Sequence, residues 1–244
     1  MKKFLIILTT LISPVLILAL FYVYAGTEVS KRLDIGYGVS TSSAVARLEI
    51  GGKFFDIPKN YISSRGDWNG GKVGGVNLQA LLPDFEPYTD SNKEKFDKPG
   101  SNGVIIILLQ EHNIVGSKTS SVSMSRKSVY DRVVYDFVLQ KNINITEYPG
   151  QYGLTRQTLD LANKVDELYV AHKSNGDFYW VECGIDKPNR FPRCNTYFEY
   201  SKYVYIQYSF PKKYLNEWGK IDTSVLSFIG KFEEKSAPAS TQAN

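Results

Sequence analysis

Read for its apolar and polar positions, the chain opens on an uncharged run from Phe4 to Ala25. About 20 apolar residues, at 1.5 Å per residue, cross a hydrocarbon core of roughly 30 Å. The pattern therefore predicts a signal-anchor or transmembrane helix over residues 1–25. Residues 26–43, rich in Gly, Ser and Thr, read as a juxtamembrane linker. The folded domain is expected over 44–232. Its first element is a hairpin, Val45–Ile50 and Lys53–Ile57, turned by Gly51-Gly52, because both turn positions accept positive φ. Residues 63–75 hold five glycines and read as a loop.

The run Val104–Leu109 is apolar throughout and β-branched in part, which predicts a strand buried on both faces. Between 128 and 139, Tyr130, Val133, Val134, Phe137 and Val138 recur at helical spacing behind Ser128, an acceptable N-cap. Leu168–His172 and Phe178–Cys183 flank a turn at 173–177. Cys194–Tyr200 and Tyr203–Phe210 flank Ser201-Lys202. Together these four runs read as an antiparallel meander, which Pro211 stops. From Tyr214 to Ile229 the apolar positions fall mainly three and four apart, predicting an amphipathic helix lying on the sheet. Residues 233–244 are polar and Pro-containing, and read as a disordered tail. The expected fold is α+β: an antiparallel sheet with a C-terminal helix packed across it.

Lys2 and Lys3 precede the apolar run and favour an N-terminus left inside, with the domain outside. Val23-Tyr24-Ala25 offers a cleavage site, so an uncleaved anchor and a signal peptide cut after Ala25 are both open. No cysteine near the end of the run suits a lipid anchor. Hydrophobic residues make up 43% of the chain, enough for a core, and two of the four net positive charges are Lys2 and Lys3. So balanced a domain argues against nucleic acid as a partner. The 17 Tyr and 13 Phe fit sheet surfaces, where a ring packs while its hydroxyl stays wet.

The two cysteines, Cys183 and Cys194, suit a disulfide between neighbouring strands in an oxidising compartment. Closing so short a loop contributes about 2–3 kcal/mol by the chain-entropy estimate. Two thiols with the distant His112 and His172 make neither a metal site nor a Cys-x-x-Cys redox pair, and no cofactor or metal is expected. Gly71-Lys72 is followed by Val73, which departs from a P-loop. Gly-x-Ser-x-Gly is absent from the sequence. His112 follows Glu111, but adjacent strand residues face opposite ways. Asp84 and Glu86 sit in a Pro-bounded turn. No catalytic residue is assigned. Asn144-Ile145-Thr146 matches a glycosylation acceptor, a pattern too short to carry weight.

The segment Phe55-Asp56-Ile57-Pro58-Lys59-Asn60-Tyr61-Ile62 is followed by a Gly-rich loop and by Leu78-Gln79-Ala80-Leu81-Leu82-Pro83-Asp84-Phe85. With the cysteine hairpin and Tyr214-Leu215-Asn216-Glu217-Trp218-Gly219-Lys220-Ile221, this order resembles uncharacterised envelope proteins of Gram-negative bacteria. Among those it resembles are membrane-anchored, periplasmic immunity proteins that accompany type VI secretion effectors. The resemblance implies a non-enzymatic inhibitor bound to the bacterial inner membrane by a single pass through residues 4–25, its domain in the periplasm. The partner would be a protein, with Trp68, Arg65, Arg190 and Phe191 as candidate contacts, since hot spots favour aromatic and Arg side chains. A structural subunit of an envelope complex and an envelope hydrolase are the alternatives.

Overall fold

The computed structural model describes residues 38–97, 103–112, 125–132, 145–159, 166–172, 177–188 and 191–234. The expected membrane segment and Arg190 lie outside them. Among the described residues no helix is long and apolar enough to cross a membrane.

Strands β1 (Val45–Ile50) and β2 (Lys53–Pro58) form the expected hairpin, with Gly51 and Gly52 at φ +57° and +78°. Glycine is also required at the first turn position because a Cβ there would lie 2.5 Å from the Tyr203 carbonyl oxygen. The Gly-rich segment is more than a loop. It contains a 3₁₀ turn, Arg65–Asn69, and a two-residue strand, β3 (Gly71–Lys72), parallel to β1. The small sheet thus has the order β2-β1-β3. At its outer edge, Asp56 N–H donates to Phe232 O and Glu234 N–H to Phe54 O, and the Glu233 carboxylate accepts from Lys53. Glu233 and Glu234, read from sequence as the start of a tail, therefore dock along β2.

The large sheet is antiparallel throughout and comprises β4 (Gly75–Leu81), β5 (Val104–Glu111), β6 (Ile145–Pro149), β7 (Thr155–Leu159), β8 (Asp166–His172), β9 (Phe178–Gly184), β10 (Arg193–Ser201) and β11 (Val204–Pro211). Their spatial order is β4-β5-β11-β10-β9-β8-β7-β6. The meander of β8 to β11 is as the sequence implies; β6 and β7 extend it. β5 departs from expectation. Ile105, Ile107 and Leu109 are fully buried, but Ile106 is 42% exposed between Gln79 and Ser209. Strand residues alternate between faces, and on the second face Ile106 is open to solvent beside the buried, polar Gln79.

Helix α1 (Lys93–Asp97) is one short turn. A second helix, α2, is described over 126–132, and the remainder of the expected 128–139 helix lies outside the described residues. It starts earlier than Ser128: Ser125 Oγ accepts from the Ser128 N–H at 3.3 Å, which makes Ser125 the capping residue. The last helix, α3 (Trp218–Gly230), follows a 3₁₀ turn, Lys212–Glu217, that takes up Tyr214 and Leu215. Such tighter turns are frequent at helix N-termini.

The α3 residues Ile221, Val225, Phe228 and Ile229 are buried with Leu48, Phe55 and Ile57 of the small sheet and Leu78, Ile107, Ile206 and Phe210 of the large one. The main core therefore lies between one face of the large sheet and a layer made of the small sheet and α3. Alternation along β9 sends Tyr179, Val181 and Cys183 into that core and Trp180 to the other face. There Val129 of α2 packs with Trp180, Leu168 and Val170.

Candidate functional site

At the end of the large sheet bearing β6 to β8, a groove of about 690 Å3 opens between three segments. These are the β6–β7 turn, the disulfide loop after β9, and the Lys212–Glu217 turn leading into α3. Each is fixed by its sequence in a different way.

In the β6–β7 turn, Tyr152 and Gly153 both adopt positive φ, +62° and +74°. A tyrosine in the left-handed region is uncommon and is held there by its surroundings. Trp218 Nε1 donates to the Tyr152 carbonyl at 3.0 Å, Leu154 N–H donates to Gln151 O at 3.1 Å, and Leu154 is buried below. Gly150 must be glycine, because a Cβ would lie 2.0 Å from the Leu154 carbonyl oxygen. The backbone is thus pinned while the Tyr152 ring stays 54% exposed.

The disulfide Cys183–Cys194 joins facing residues of β9 and β10 whose Cα atoms are 4.0 Å apart. It closes the loop that carries Asp186, Phe191 and Pro192. Lys212 N–H donates to Pro192 O at 2.9 Å, so the loop is tied at a second point. Phe191 is 57% exposed at the groove's rim.

Across the floor runs a network of charges. Arg156 Nη1 lies 3.0 Å from Glu167 Oε1, and Lys212 Nζ lies 3.0 Å from both Glu167 Oε2 and Asp186 Oδ2. Tyr169 donates its hydroxyl to Glu167 Oε2 at 2.7 Å. The Arg156 guanidinium sits 5.1 Å from the Tyr148 ring centroid. Burial alone would raise Glu167, but hydrogen bonds from Tyr169 and Lys212, with the charges of Lys212 and Arg156, hold its carboxyl below the usual value. Burial and the hydrogen bond to Glu167 push the Tyr169 phenol up. Glu167 is therefore held in its ionised form with both oxygens engaged, an arrangement that orders the floor of the groove.

The structure places the sequence-derived candidates unequally. Phe191 reaches the groove. Trp68 and Arg65 are in the Arg65–Asn69 turn beside β1, where Trp68 Nε1 donates to Ile62 O at 3.2 Å and the ring packs on the main core; neither lines the groove. His112 donates its main-chain N–H to Tyr203 O and sets its ring near Tyr205, His172 sets its ring edge-on to Phe178, and neither lines the groove. Asp84 and Glu86 belong to a turn closed by paired hydrogen bonds between the main chains of Leu81 and Glu86. Among the described residues there is no cluster of three or more His, Cys, Asp or Glu able to hold a metal.

Tyr152, Arg156, Glu167, Lys212 and Lys213 carry the groove and were not singled out in the sequence. Pro149-Gly150 and Tyr152-Gly153 are two turn dipeptides in five residues, a signal that locates the hairpin tip. Nothing in the spacing of Arg156, Glu167 and Lys212 foretells that they meet.

No family model matches the chain, and no curated protein matches it. Among solved structures it is similar to an immunity protein of the Stenotrophomonas maltophilia type IV secretion system, with a TM-score of 0.59 at 15% identity. The likeness covers 80% of this chain and 95% of that one, and at this identity it is a likeness of fold.

Proposed function

We propose that this protein is an immunity-type inhibitor that binds and neutralises a secreted toxin through the groove beside the disulfide loop. The observation that carries the reading is the pairing of two exposed rings, Tyr152 and Phe191, with backbones fixed before any partner arrives. Binding a partner costs the ordering of loops and side chains, and a prefixed surface avoids much of that cost. Exposed aromatics on rigid supports are the usual anchors of a protein interface. The shared fold with an immunity protein supports the same reading. The sequence resemblance points toward type VI effectors and the structural neighbour belongs to a type IV system, so the proposal is made for what they share, a toxin delivered by secretion.

In this reading residues 4–25 hold the protein at the inner membrane, or direct it to the periplasm if cleaved after Ala25. The disulfide fits that compartment. The test is a mixed culture. A strain deleted for this gene is expected to be killed by its parent and rescued by a plasmid copy of the full chain. Equal survival of deletion strain and parent, under conditions where the secretion system is active, would sink the proposal.

A further inference from the structure

The groups of the groove that are not already engaged indicate which part of a toxin would fit. Glu167 accepts at both carboxylate oxygens, while Lys212 and Tyr169 are committed to it. Arg156 donates to Glu167 through Nη1, and among the described residues its Nε and Nη2 have no acceptor. Lys213 is exposed and forms no ion pair among the described residues; its ammonium lies 5.0 Å from the Tyr214 ring centroid. Asp186 is the other carboxylate among the described lining residues, and Lys212 already occupies it. Among the described residues the lining holds three cations to two carboxylates, and the unspent charge is positive.

Resting on the inhibitor reading, we propose that the groove receives an acidic segment of the toxin. Its carboxylates meet Arg156 and Lys213, and a neighbouring apolar side chain covers Tyr152 and Phe191. A guanidinium with free N–H groups suits a carboxylate, and charge complementarity selects the partner and speeds encounter. A small free carboxylate would leave both rings exposed. A dense anion such as phosphate would be repelled by Glu167 and Asp186, whereas carboxylates spaced along a chain can take the cations singly.

The test places a photo-crosslinking benzoylphenylalanine at position 152 or 191 of the full chain in its own host, with position 106, exposed on the second face of the large sheet, as comparison. Adducts at 152 and 191 that map to an Asp- and Glu-rich segment of a secreted protein are expected. Lys213→Glu should cut their yield by about tenfold and Lys213→Arg should keep it, since the effect is one of charge sign on an exposed side chain. Adducts at 106 in place of 152 and 191, a crosslinked segment without acidic residues, or an unchanged yield with Lys213→Glu would each overturn the proposal. In all three cases a deletion strain still killed by its parent leaves the inhibitor reading standing; an insensitive deletion strain removes both.

Discussion

The indole of Trp218 donates Nε1–H to the carbonyl of Tyr152 at 3.0 Å, binding the first turn of α3 to the tip of the β6–β7 hairpin. The same indole stacks on Tyr179, centroids 4.4 Å apart, and Tyr179 is buried in β9. One side chain therefore connects the helix, the sheet and the groove. Tyr152 holds a backbone conformation that costs of order 1–3 kcal/mol for a residue with a side chain. The Trp218 hydrogen bond is one of the contacts that offsets it.

Trp218→Phe should retain the stacking and lose the hydrogen bond. The expected loss of stability is about 0.5–1.5 kcal/mol, read as a lower urea midpoint with an unchanged slope. Partner affinity should fall with it, because Tyr152 is no longer held. A variant that loses stability but binds as before would separate the hairpin tip from recognition.

Stability should also decline in acid. Glu167 is held below its ordinary value of 4.5 despite burial, by Tyr169, Lys212 and Arg156, and Glu233 is lowered similarly, against burial, by Lys53 and Tyr200. A depressed carboxyl contributes stability that is fully present above the unfolded value and lost as pH falls through the folded one. Asp67 runs the opposite way, because burial raises it. Comparing wild type with Glu167→Gln isolates one group. The variant should be less stable by about 1–3 kcal/mol at pH 7, with the gap narrowing below pH 4.5, the ordinary value. Thermal melts across that range check it; a gap that stays constant would show that the charge of Glu167 is not what the network uses.

The disulfide joins facing residues of β9 and β10 and closes a separation of 11 positions. Replacing both cysteines by alanine should cost about 2–3 kcal/mol. The effect on the groove should be larger in proportion, because Phe191 and Asp186 ride on the released loop. Melting with and without a reductant gives the first quantity. Crosslinking yield at position 191 gives the second.

What could be read in advance divides along physical lines. The β1–β2 hairpin and the β8–β11 meander were legible because each is a set of apolar, β-branched or aromatic runs set between recognisable turns. The strands β6 and β7 were not. Glu147, Thr146 and Tyr148 are exposed on an edge strand, and the inward Gln157 is satisfied by Tyr130 and Glu147 rather than by an apolar neighbour. A strand without an apolar face leaves no period-two signal. β5 misled in the opposite sense: a continuous apolar run said strand, but could not say that Ile106 would face solvent. The groove depends on Glu167, Lys212 and Asp186, which only the sheet order brings together. The cysteine pair and Phe191 marked its neighbourhood.

The sharpest energetic prediction concerns Asp222, whose side chain is 1% exposed on α3. It accepts from Arg126 at the start of α2 and, at 2.7 Å, from the buried Tyr208 hydroxyl. The Arg126 guanidinium also lies 4.0 Å from the Phe198 ring centroid, past the short stretch where β9 and β10 are paired. Asp222→Ala would leave a largely buried cation and a buried hydroxyl without their acceptor, and should cost about 3–5 kcal/mol. Arg126→Met strands Asp222 in the same way and should be comparably damaging. The double variant Arg126→Met with Asp222→Leu removes both charges and should recover much of the loss, because a buried pair gains little over apolar residues of similar size. Denaturant melts of the four proteins form the cycle. Recovery in the double variant would mean that the pair fixes the start of α2 relative to α3 without adding much net stability. If the losses simply add, the two residues act independently and the ion pair does not couple the start of α2 to α3.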